Sequence, residues 1–185
     1  DVGGDIIPML VEQGVAEVYD FARNEVAGST DRDRAYWRDV GTLDSYYEGH
    51  MDLLGEEPAF NVHNTDWPIL TWNDPAPPAK FASGERDTGA AEDSLVSGGA
   101  IVRGRVHSSI LGPDVVIHPG AEVYGSVLMN HVEVQPGARV RNAIVDKNVV
   151  IPEGATVGVD VDMDRARFVV SDGGIVVIGK GQKVE

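Results

Sequence analysis

The chain has 185 residues, of which 42% are hydrophobic, so it can bury the core of one ordinary domain or of two small ones. Its formal net charge of −15 argues against nucleic acid as a partner, because a duplex-binding protein needs a basic face. The absence of cysteine excludes disulfide and thiolate-metal frameworks. No apolar run approaches the ~20 residues that cross a bilayer, and no signal-peptide pattern is present, so we expect a cytoplasmic protein without a membrane partner.

The first 21 residues predict a helix followed by a strand. Asp5 is a suitable N-cap, Pro8 is tolerated in a first turn, and Gly14 ends the helix. Residues 15–21, VAEVYDF, have the composition of a strand. A helix followed at once by a strand is typical of an α/β domain.

A second helix is predicted from Thr42, a suitable N-cap, to the stop at Gly55. A strand end or turn over residues 36–40 then places Trp37, Arg38 and Asp39 at the start of this helix, and ligands gather at such strand-to-helix junctions in α/β sheets. From chemistry alone, a lone aspartate there either binds a hard cation or caps the helix, and capping is the commoner role.

Residues 56–90 contain five prolines and four aromatic side chains. The prolines forbid long regular structure, whereas four aromatic residues are too many for a free linker, so we expect an extended arm that packs along another part of the molecule. The aromatic residues are Phe60, Trp67, Trp72 and Phe81. The polar segment 83–93 is the expected flexible loop, and we place the domain boundary near residue 90.

Residues 98–157 contain one short pattern three times, at a step of 17. The aligned columns are Val115, Val132 and Val149; Ile117, Val134 and Ile151; Gly120, Gly137 and Gly154; Ala121, Ala138 and Ala155; Val123, Val140 and Val157; and Ile110, Val127 and Ile144, each followed by a second aliphatic residue. This period is close to three hexapeptides and suits a coil of three short strands whose inward side chains stack on those of the next coil. A β-sandwich with coincidental spacing is a weaker alternative.

We therefore predict a mostly β fold, a β-solenoid of about four coils, the first of them irregular, that starts near Ser94 and follows an α/β segment. Beyond Val157 the sequence no longer follows the 17-residue period. The segments FVV and GIVVI predict a hairpin that closes the last coil, because an open solenoid end exposes unpaired strand edges.

Several motifs, in this order along the chain, resemble the C-terminal part of bacterial glucose-1-phosphate adenylyltransferases. The motifs are GGDIIP, YWRDVGTLDSYYEGHMDLL, WPI followed by PPAKF, SLVSGG, IVDKNVVIPEGATVG, and DRARF followed by GIVVIGKG. The resemblance implies an enzyme that makes ADP-glucose and pyrophosphate from ATP and glucose 1-phosphate for glycogen synthesis. It also implies a homotetramer regulated by phosphorylated metabolites. The implied domains are the C-terminal end of an α/β nucleotidyltransferase domain (1–55), the connecting arm (56–90) and a left-handed parallel β-helix for regulation and oligomerisation (91–185).

Site residues follow from the same resemblance, position by position. Asp39 matches an aspartate that helps hold the catalytic Mg²⁺, and Trp37 matches a residue of the sugar-phosphate pocket. Lys147 and Lys180 match basic positions of the family's allosteric cleft. The basic residues of strand RVR, Arg139 and Arg141, lie half a coil earlier and could add to that basic spot, although plain solenoid surface is their commoner role.

The family's glycine-rich phosphate loop, its second metal aspartate and its Glu-Lys pair for the sugar are absent from these 185 residues, so we expect the segment alone to be inactive. A hexapeptide acyltransferase is the alternative enzyme, with a histidine as general base. Its candidates are His107, His118 and His131, which fall in different columns and have no carboxylate at a repeated offset. A non-catalytic solenoid for assembly and regulation is the third possibility.

Overall fold

The computed structural model describes residues 1–71, 75–84 and 89–185. Trp72 of the expected arm and residues 85–88 of the expected flexible loop lie outside the described residues. Across the described ranges, no helix has the length and hydropathy needed to span a membrane.

Short strands make up most of the second half of the chain. Their bounds, in chain order, are β1 Lys80–Phe81, β2 Ala90–Glu92, β3 Leu95–Val96, β4 Ile101–Val102, β5 Arg105–His107, β6 Ile110–Leu111, β7 Val116–Ile117, β8 Glu122–Tyr124, β9 Val127–Leu128, β10 Glu133–Val134, β11 Arg139–Arg141, β12 Ala143–Val145, β13 Val150–Ile151, β14 Thr156–Val157, β15 Val169–Val170 and β16 Val176–Ile178.

These strands form three parallel sheets, and the chain visits the sheets in turn. The first sheet has the order β1-β4-β7-β10-β13, the second β2-β5-β8-β11-β14, and the third β3-β6-β9-β12-β16-β15. Only the last pair, β15 and β16, is antiparallel among the described ladders. Three successive strands thus make one coil of a three-sided solenoid. The predicted β-solenoid of about four coils is confirmed, and it is consistent with the left-handed β-helix of hexapeptide-repeat proteins.

The solenoid begins earlier than the sequence indicates. Strand β1 pairs with β4, so the first coil starts at Lys80 rather than near Ser94. Strand β2 pairs with β5 and occupies Ala90–Glu92, in the second half of the segment expected to be a flexible loop. The repeat columns do not extend into this first coil, which explains why periodicity alone placed the start too late.

The aliphatic column predicted to face the interior does lie inside the solenoid. Val115, Val132 and Val149 are all at most 1% exposed and belong to one apolar core. The parallel register pairs Val116 with Glu133 and Glu133 with Val150, a shift of one repeat per coil. Stacked β-branched side chains fit the pleated surface of such short strands.

Three helices complete the fold: α1 (Ile7–Glu12), α2 (Leu43–Met51) and α3 (Val161–Arg165). A π-helical turn, Val2–Ile6, leads into α1, and a single 3₁₀ turn covers Phe21–Arg23. The third helix was not predicted. It is held on the last coil by Asp164, which is 1% exposed and accepts hydrogen bonds from Gly158 N (2.7 Å) and Arg167 Nη2 (2.5 Å).

Two predictions for the first 21 residues are wrong. The N-cap of the helical segment is Asp1, whose carboxylate accepts hydrogen bonds from two backbone amides, whereas Asp5 lies inside the π-helical turn. Residues 15–20 form no strand. A strand requires a neighbour to pair with, and every β ladder of the described residues lies between Lys80 and Ile178, so VAEVYD stays irregular and Val18 is 95% exposed.

Helix α2 packs against the outside of the third sheet. The paired aliphatic residues of this sheet point in opposite directions: Leu128 faces the interior, whereas Val127 faces outward. The outward residues Val127, Ile144 and Ile175 form a second apolar cluster with Tyr46, Tyr47 and Met51 of α2. The solenoid is thus the packing partner of this helix.

Candidate functional site

The loop before α2 is bound to the side of that helix by Arg38. The guanidinium donates from Nε to Asp52 Oδ2 (2.6 Å) and from Nη1 to Glu48 Oε2 (2.8 Å). The Tyr36 hydroxyl donates to the same Asp52 oxygen at 2.8 Å. The hydrogen bond to Asp52 raises the pKa of Arg38, and burial of the phenol raises the pKa of Tyr36. The loop is therefore fixed by a charged network on both sides of Trp37.

Trp37 and Asp39 flank Arg38 and are both exposed, with Trp37 73% exposed. Asp39 Oδ1 accepts the Gly41 amide at 3.2 Å, and Oδ2 has no hydrogen-bond partner among the described residues. An oxygen of this carboxylate is thus available to a ligand.

The cap of α2 is Thr42, as predicted. Its hydroxyl accepts the Ser45 amide, and the Ser45 hydroxyl accepts the Thr42 amide, each at 3.1 Å. This reciprocal capping box satisfies two helix amides. The structural alternative for Asp39, that it caps the helix, is therefore wrong. Helix α2 itself ends at Met51, before the expected stop at Gly55, where the backbone has a φ of 90°.

Asp39 is the only carboxylate that the sequence assigns to a metal, and the described residues contain no cluster of three or more potential metal-ligating side chains. Mg²⁺ is commonly held by one or two carboxylates together with substrate phosphates and water. The exposed Asp39 carboxylate fits one ligand position of such an ion, and the remaining ligands would come from other groups.

The structure brings Lys147 and Lys180 together through a shared carboxylate. Asp146 Oδ1 accepts the Lys147 amide at 2.7 Å, and Asp146 Oδ2 accepts the Lys180 amide at 3.2 Å. The first lysine follows β12 and the second follows β16, and these two strands pair in parallel. Both lysines are exposed, so two ammonium groups extend from adjoining turns. We call this region the lysine corner.

Arg139 and Arg141 lie elsewhere on the solenoid. Both are exposed on β11, in the second sheet, where Arg139 is paired in register with Glu122 and Thr156. The lysine corner instead joins the third sheet to the first. The structure therefore places the arginines and the lysines on different sides of the three-sided coil.

Sequence reasoning missed the polar contacts that attach α2 to the solenoid. The Tyr47 hydroxyl donates to Gly125 O at 2.6 Å. Asp44 accepts a short hydrogen bond from the Ser171 hydroxyl and a second from Gly173 N at 3.2 Å. The repeated pair of consecutive aliphatic residues was a signal that something packs outside the third sheet, because only one residue of each pair can face the interior. Nothing in the pattern identifies α2 as the partner.

The three solenoid histidines lie apart from one another but have partners that the sequence did not reveal. His118 Nε2 is 2.7 Å from Glu133 Oε1, and His131 Nδ1 is 3.7 Å from Asp114 Oδ2. Each carboxylate belongs to a neighbouring coil, but the two offsets differ. Glu133 lies 15 residues after His118, whereas Asp114 lies 17 residues before His131. His107 stacks on Tyr124 with ring centroids 5.1 Å apart.

Comparison with known proteins matches both parts of the chain. Residues 77–178 match the family described as GlmU-like, C-terminal hexapeptide, and residues 1–56 match the family described as nucleotidyl transferase. The first match covers more than half of the chain. The chain belongs to the GlmU-like hexapeptide family.

This GlmU-like hexapeptide chain is similar over its whole length to proteins named glucose-1-phosphate adenylyltransferase. It is 57% identical over 184 residues to that of Streptomyces coelicolor, covering 100% of the chain and 45% of the relative. It is 58% identical over 186 residues to that of Acidothermus cellulolyticus, covering 100% and 44%, and 59% identical over 182 residues to that of Nocardia farcinica, covering 98% and 44%. The predicted resemblance is confirmed, and the chain spans less than half the length of these relatives.

Proposed function

We propose that this chain is part of a glucose-1-phosphate adenylyltransferase, which forms ADP-glucose and pyrophosphate from ATP and glucose 1-phosphate in glycogen synthesis. The observation that carries the proposal is the similarity, along the whole chain, to relatives with that name. The exposed Trp37 and Asp39 at the start of α2 support it. Cytoplasmic location and homotetrameric assembly are further expectations of the resemblance.

In this proposal Asp39 contributes one ligand to Mg²⁺, and the ion supplies charge neutralisation on the triphosphate when it is bound. Arg38 keeps the carboxylate in place, because its hydrogen bonds to Glu48 and Asp52 fix the loop on α2. Trp37 offers an exposed indole to the sugar phosphate. In this proposal these residues bind and orient the Mg²⁺ ion and the sugar phosphate. Other residues of the complete protein would supply the phosphate-binding loop.

The lysine corner is the proposed effector site. Two exposed ammonium groups on adjoining turns favour a dianionic ligand such as a sugar phosphate. They form a local positive site on a chain whose net charge is −15. Arg139 and Arg141 lie on another side of the solenoid, so we do not include them in this site. A Lys147→Gln or Lys180→Gln change should therefore weaken activation more than Arg139→Gln or Arg141→Gln does.

The experiment is to express the complete protein that contains these residues and to measure pyrophosphate release from ATP with Mg²⁺ and glucose 1-phosphate. We expect release with this pair of substrates and little with UTP or with N-acetylglucosamine 1-phosphate. The control is Asp39→Asn, which should lose most of the activity without loss of fold. Equal rates with all of these substrates would reject the proposal.

A hexapeptide acyltransferase remains the second candidate, because the His118–Glu133 contact has the geometry of a base oriented by a carboxylate. A thermal shift assay separates the two functions. The adenylyltransferase should be stabilised by fructose 1,6-bisphosphate or AMP, whereas stabilisation by acetyl-CoA alone would favour the acyltransferase.

A further inference from the structure

A pair of hydrogen bonds joins the first turn of α2 to the turn between β15 and β16. The Ser171 hydroxyl donates to Asp44 Oδ1, and the Gly173 amide donates to Asp44 Oδ2 at 3.2 Å. The same hydroxyl accepts the Ile175 amide at 3.0 Å, which fixes the turn itself. We call this set of contacts the Asp44 clasp.

On one side, the clasp is close in sequence to the proposed metal ligand. Asp44 lies five residues after Asp39, and the capping box of Thr42 and Ser45 lies on either side of it. Arg38 fixes the preceding loop to the same helix. The loop is thus hydrogen-bonded to the helix that carries Asp44, so we expect a shift of Asp44 relative to the solenoid to move Asp39 with it.

On the other side, the clasp continues into the lysine corner. The turn that Asp44 holds leads directly into β16, and Lys180 follows the end of β16 by two residues. Asp146 binds the Lys180 amide to the turn after β12. A ligand that binds both lysines therefore acts on the end of the strand whose beginning is held by Asp44.

We propose that Asp44 is a positioning residue that couples the lysine corner to the Asp39 loop through the β15–β16 hairpin. This inference rests on the proposed function, because it takes Asp39 as a metal ligand and the lysine corner as an effector site. Apolar contacts of Ile175 and Val177 with α2 hold the two parts together, whereas the hydrogen bonds of Asp44 fix their alignment. A ligand changes the balance between two arrangements of a protein only through contacts that differ between them. In this proposal the hydrogen bonds of Asp44 are the contacts that differ.

The test is a double-mutant cycle in the complete protein, with Asp44→Asn, Lys180→Gln and the double variant. Steady-state kcat and KM for glucose 1-phosphate are measured with and without fructose 1,6-bisphosphate as the probe. Asp172→Asn is the matched control, because Asp172 lies in the same turn, is exposed and makes no hydrogen bond or ion pair within the described residues. Thermal unfolding and molecular mass are measured for every variant.

A second variant breaks the clasp from the solenoid side, without any change to α2. A methyl group added at Gly173 would lie 2.6 Å from Asp44 Oδ1, so Gly173→Ala must displace the carboxylate. This variant separates a loss of coupling from a loss of helix stability, since an aspartate in the first turn also interacts with the helix dipole.

We expect Lys180→Gln to change kcat/KM by at least about 5-fold in the wild-type background and by less than about 2-fold in the Asp44→Asn and Gly173→Ala backgrounds. Asp172→Asn should retain the full effect. Equal factors in all backgrounds would overturn the proposal. A wild-type rate that responds to neither Lys180→Gln nor the bisphosphate would overturn it too, since the corner would then have no influence on catalysis.

Hydrogen–deuterium exchange gives a readout that does not depend on turnover. Binding of the bisphosphate should change the exchange of the amides of residues 37–47 in the wild type and in Asp172→Asn, but not in Asp44→Asn. If the complete protein makes no ADP-glucose and this exchange pattern is still found, the proposed function fails while the coupling stands. Binding that leaves these amides unchanged in the wild type would overturn the coupling.

Discussion

At the scale of single residues, successive side chains of the loop before α2 alternate between contact with the helix and exposure to solvent. Arg38 faces the helix and forms the ion pairs, whereas its two neighbours, Trp37 and Asp39, remain exposed. The sequence indicated both exposed residues through family resemblance. It did not indicate the role of Arg38, because its partners Glu48 and Asp52 lie about two to three helical turns beyond the N-cap of the helix, and no local pattern links them to the loop.

Tyr47 provides a test of the α2–solenoid contact. Its hydroxyl donates to Gly125 O, so Tyr47→Phe leaves that carbonyl without its partner and should lower the free energy of unfolding by about 1 kcal/mol. The control is Tyr19→Phe. The exposed Tyr19 hydroxyl bonds only to Asn24 among the described residues, so its loss should change the free energy of unfolding little. Urea unfolding measures both. Equal stability of Tyr47→Phe and the wild type would contradict the contact.

The same interface should be sensitive to alkali. Burial raises the pKa of both Tyr46 and Tyr47 above the ordinary value of 10.0. The folded state then holds the phenolic proton more tightly than the unfolded state, so this stabilisation is fully present below pH 10 and is lost as the pH rises through the folded pKa values. Unfolding measured from pH 8 to pH 11 should show a decline above pH 10 that is shallower in Tyr47→Phe.

At the scale of elements, the sequence predicted what repeats and failed where an element depends on a distant partner. The inward columns were predicted correctly because each valine meets the same residue type one coil away. Residues 15–21 were predicted as a strand from composition alone, yet no strand lies beside them among the described residues, and their apolar side chains remain exposed. Helix α3 was missed because it is inserted between β14 and the β15–β16 hairpin, after Val157, where the 17-residue period no longer applies.

A matched pair of substitutions tests the predicted columns. Val132 is fully buried in the interior, whereas Val150 points outward from β13 and is 48% exposed. Val132→Ala removes two methyl groups from a packed core and should destabilise the chain by about 2 kcal/mol, whereas Val150→Ala should cost less than about 0.5 kcal/mol. Urea unfolding of the two variants measures the difference. Similar losses would mean that the column does not face a shared interior.

At the scale of the whole molecule, the chain combines a three-sided solenoid with a helix and loop that carry candidate active-site residues. The two parts are joined by an apolar cluster and by the bonds of Tyr47 and Asp44. The 17-residue repeat predicted the solenoid, and family resemblance predicted the residue types of the site. Neither predicted the contact between α2 and the third sheet, because the outward side chains of that sheet do not indicate which distant segment covers them.

These 185 residues alone should not release pyrophosphate from ATP. Nucleotidyl transfer requires groups that bind the triphosphate, and the sequence has no glycine-rich phosphate loop of the family's type. The isolated chain should therefore give the background rate with Mg²⁺, ATP and glucose 1-phosphate, whereas the complete protein should turn over. Pyrophosphate release above background from the isolated chain would show that the residues needed for transfer all lie within it.

The Mg²⁺ dependence of ADP-glucose formation by the complete protein, compared between the wild type and Asp39→Asn, tests the central claim most directly. As a matched control, Asp31→Asn removes another exposed carboxylate, whose only partner among the described residues is Arg34. The account predicts that Asp39→Asn needs more Mg²⁺ for half-maximal rate and lowers kcat by at least about 100-fold, while Asp31→Asn follows the wild type. Superimposable Mg²⁺ curves for Asp39→Asn and the wild type would contradict it.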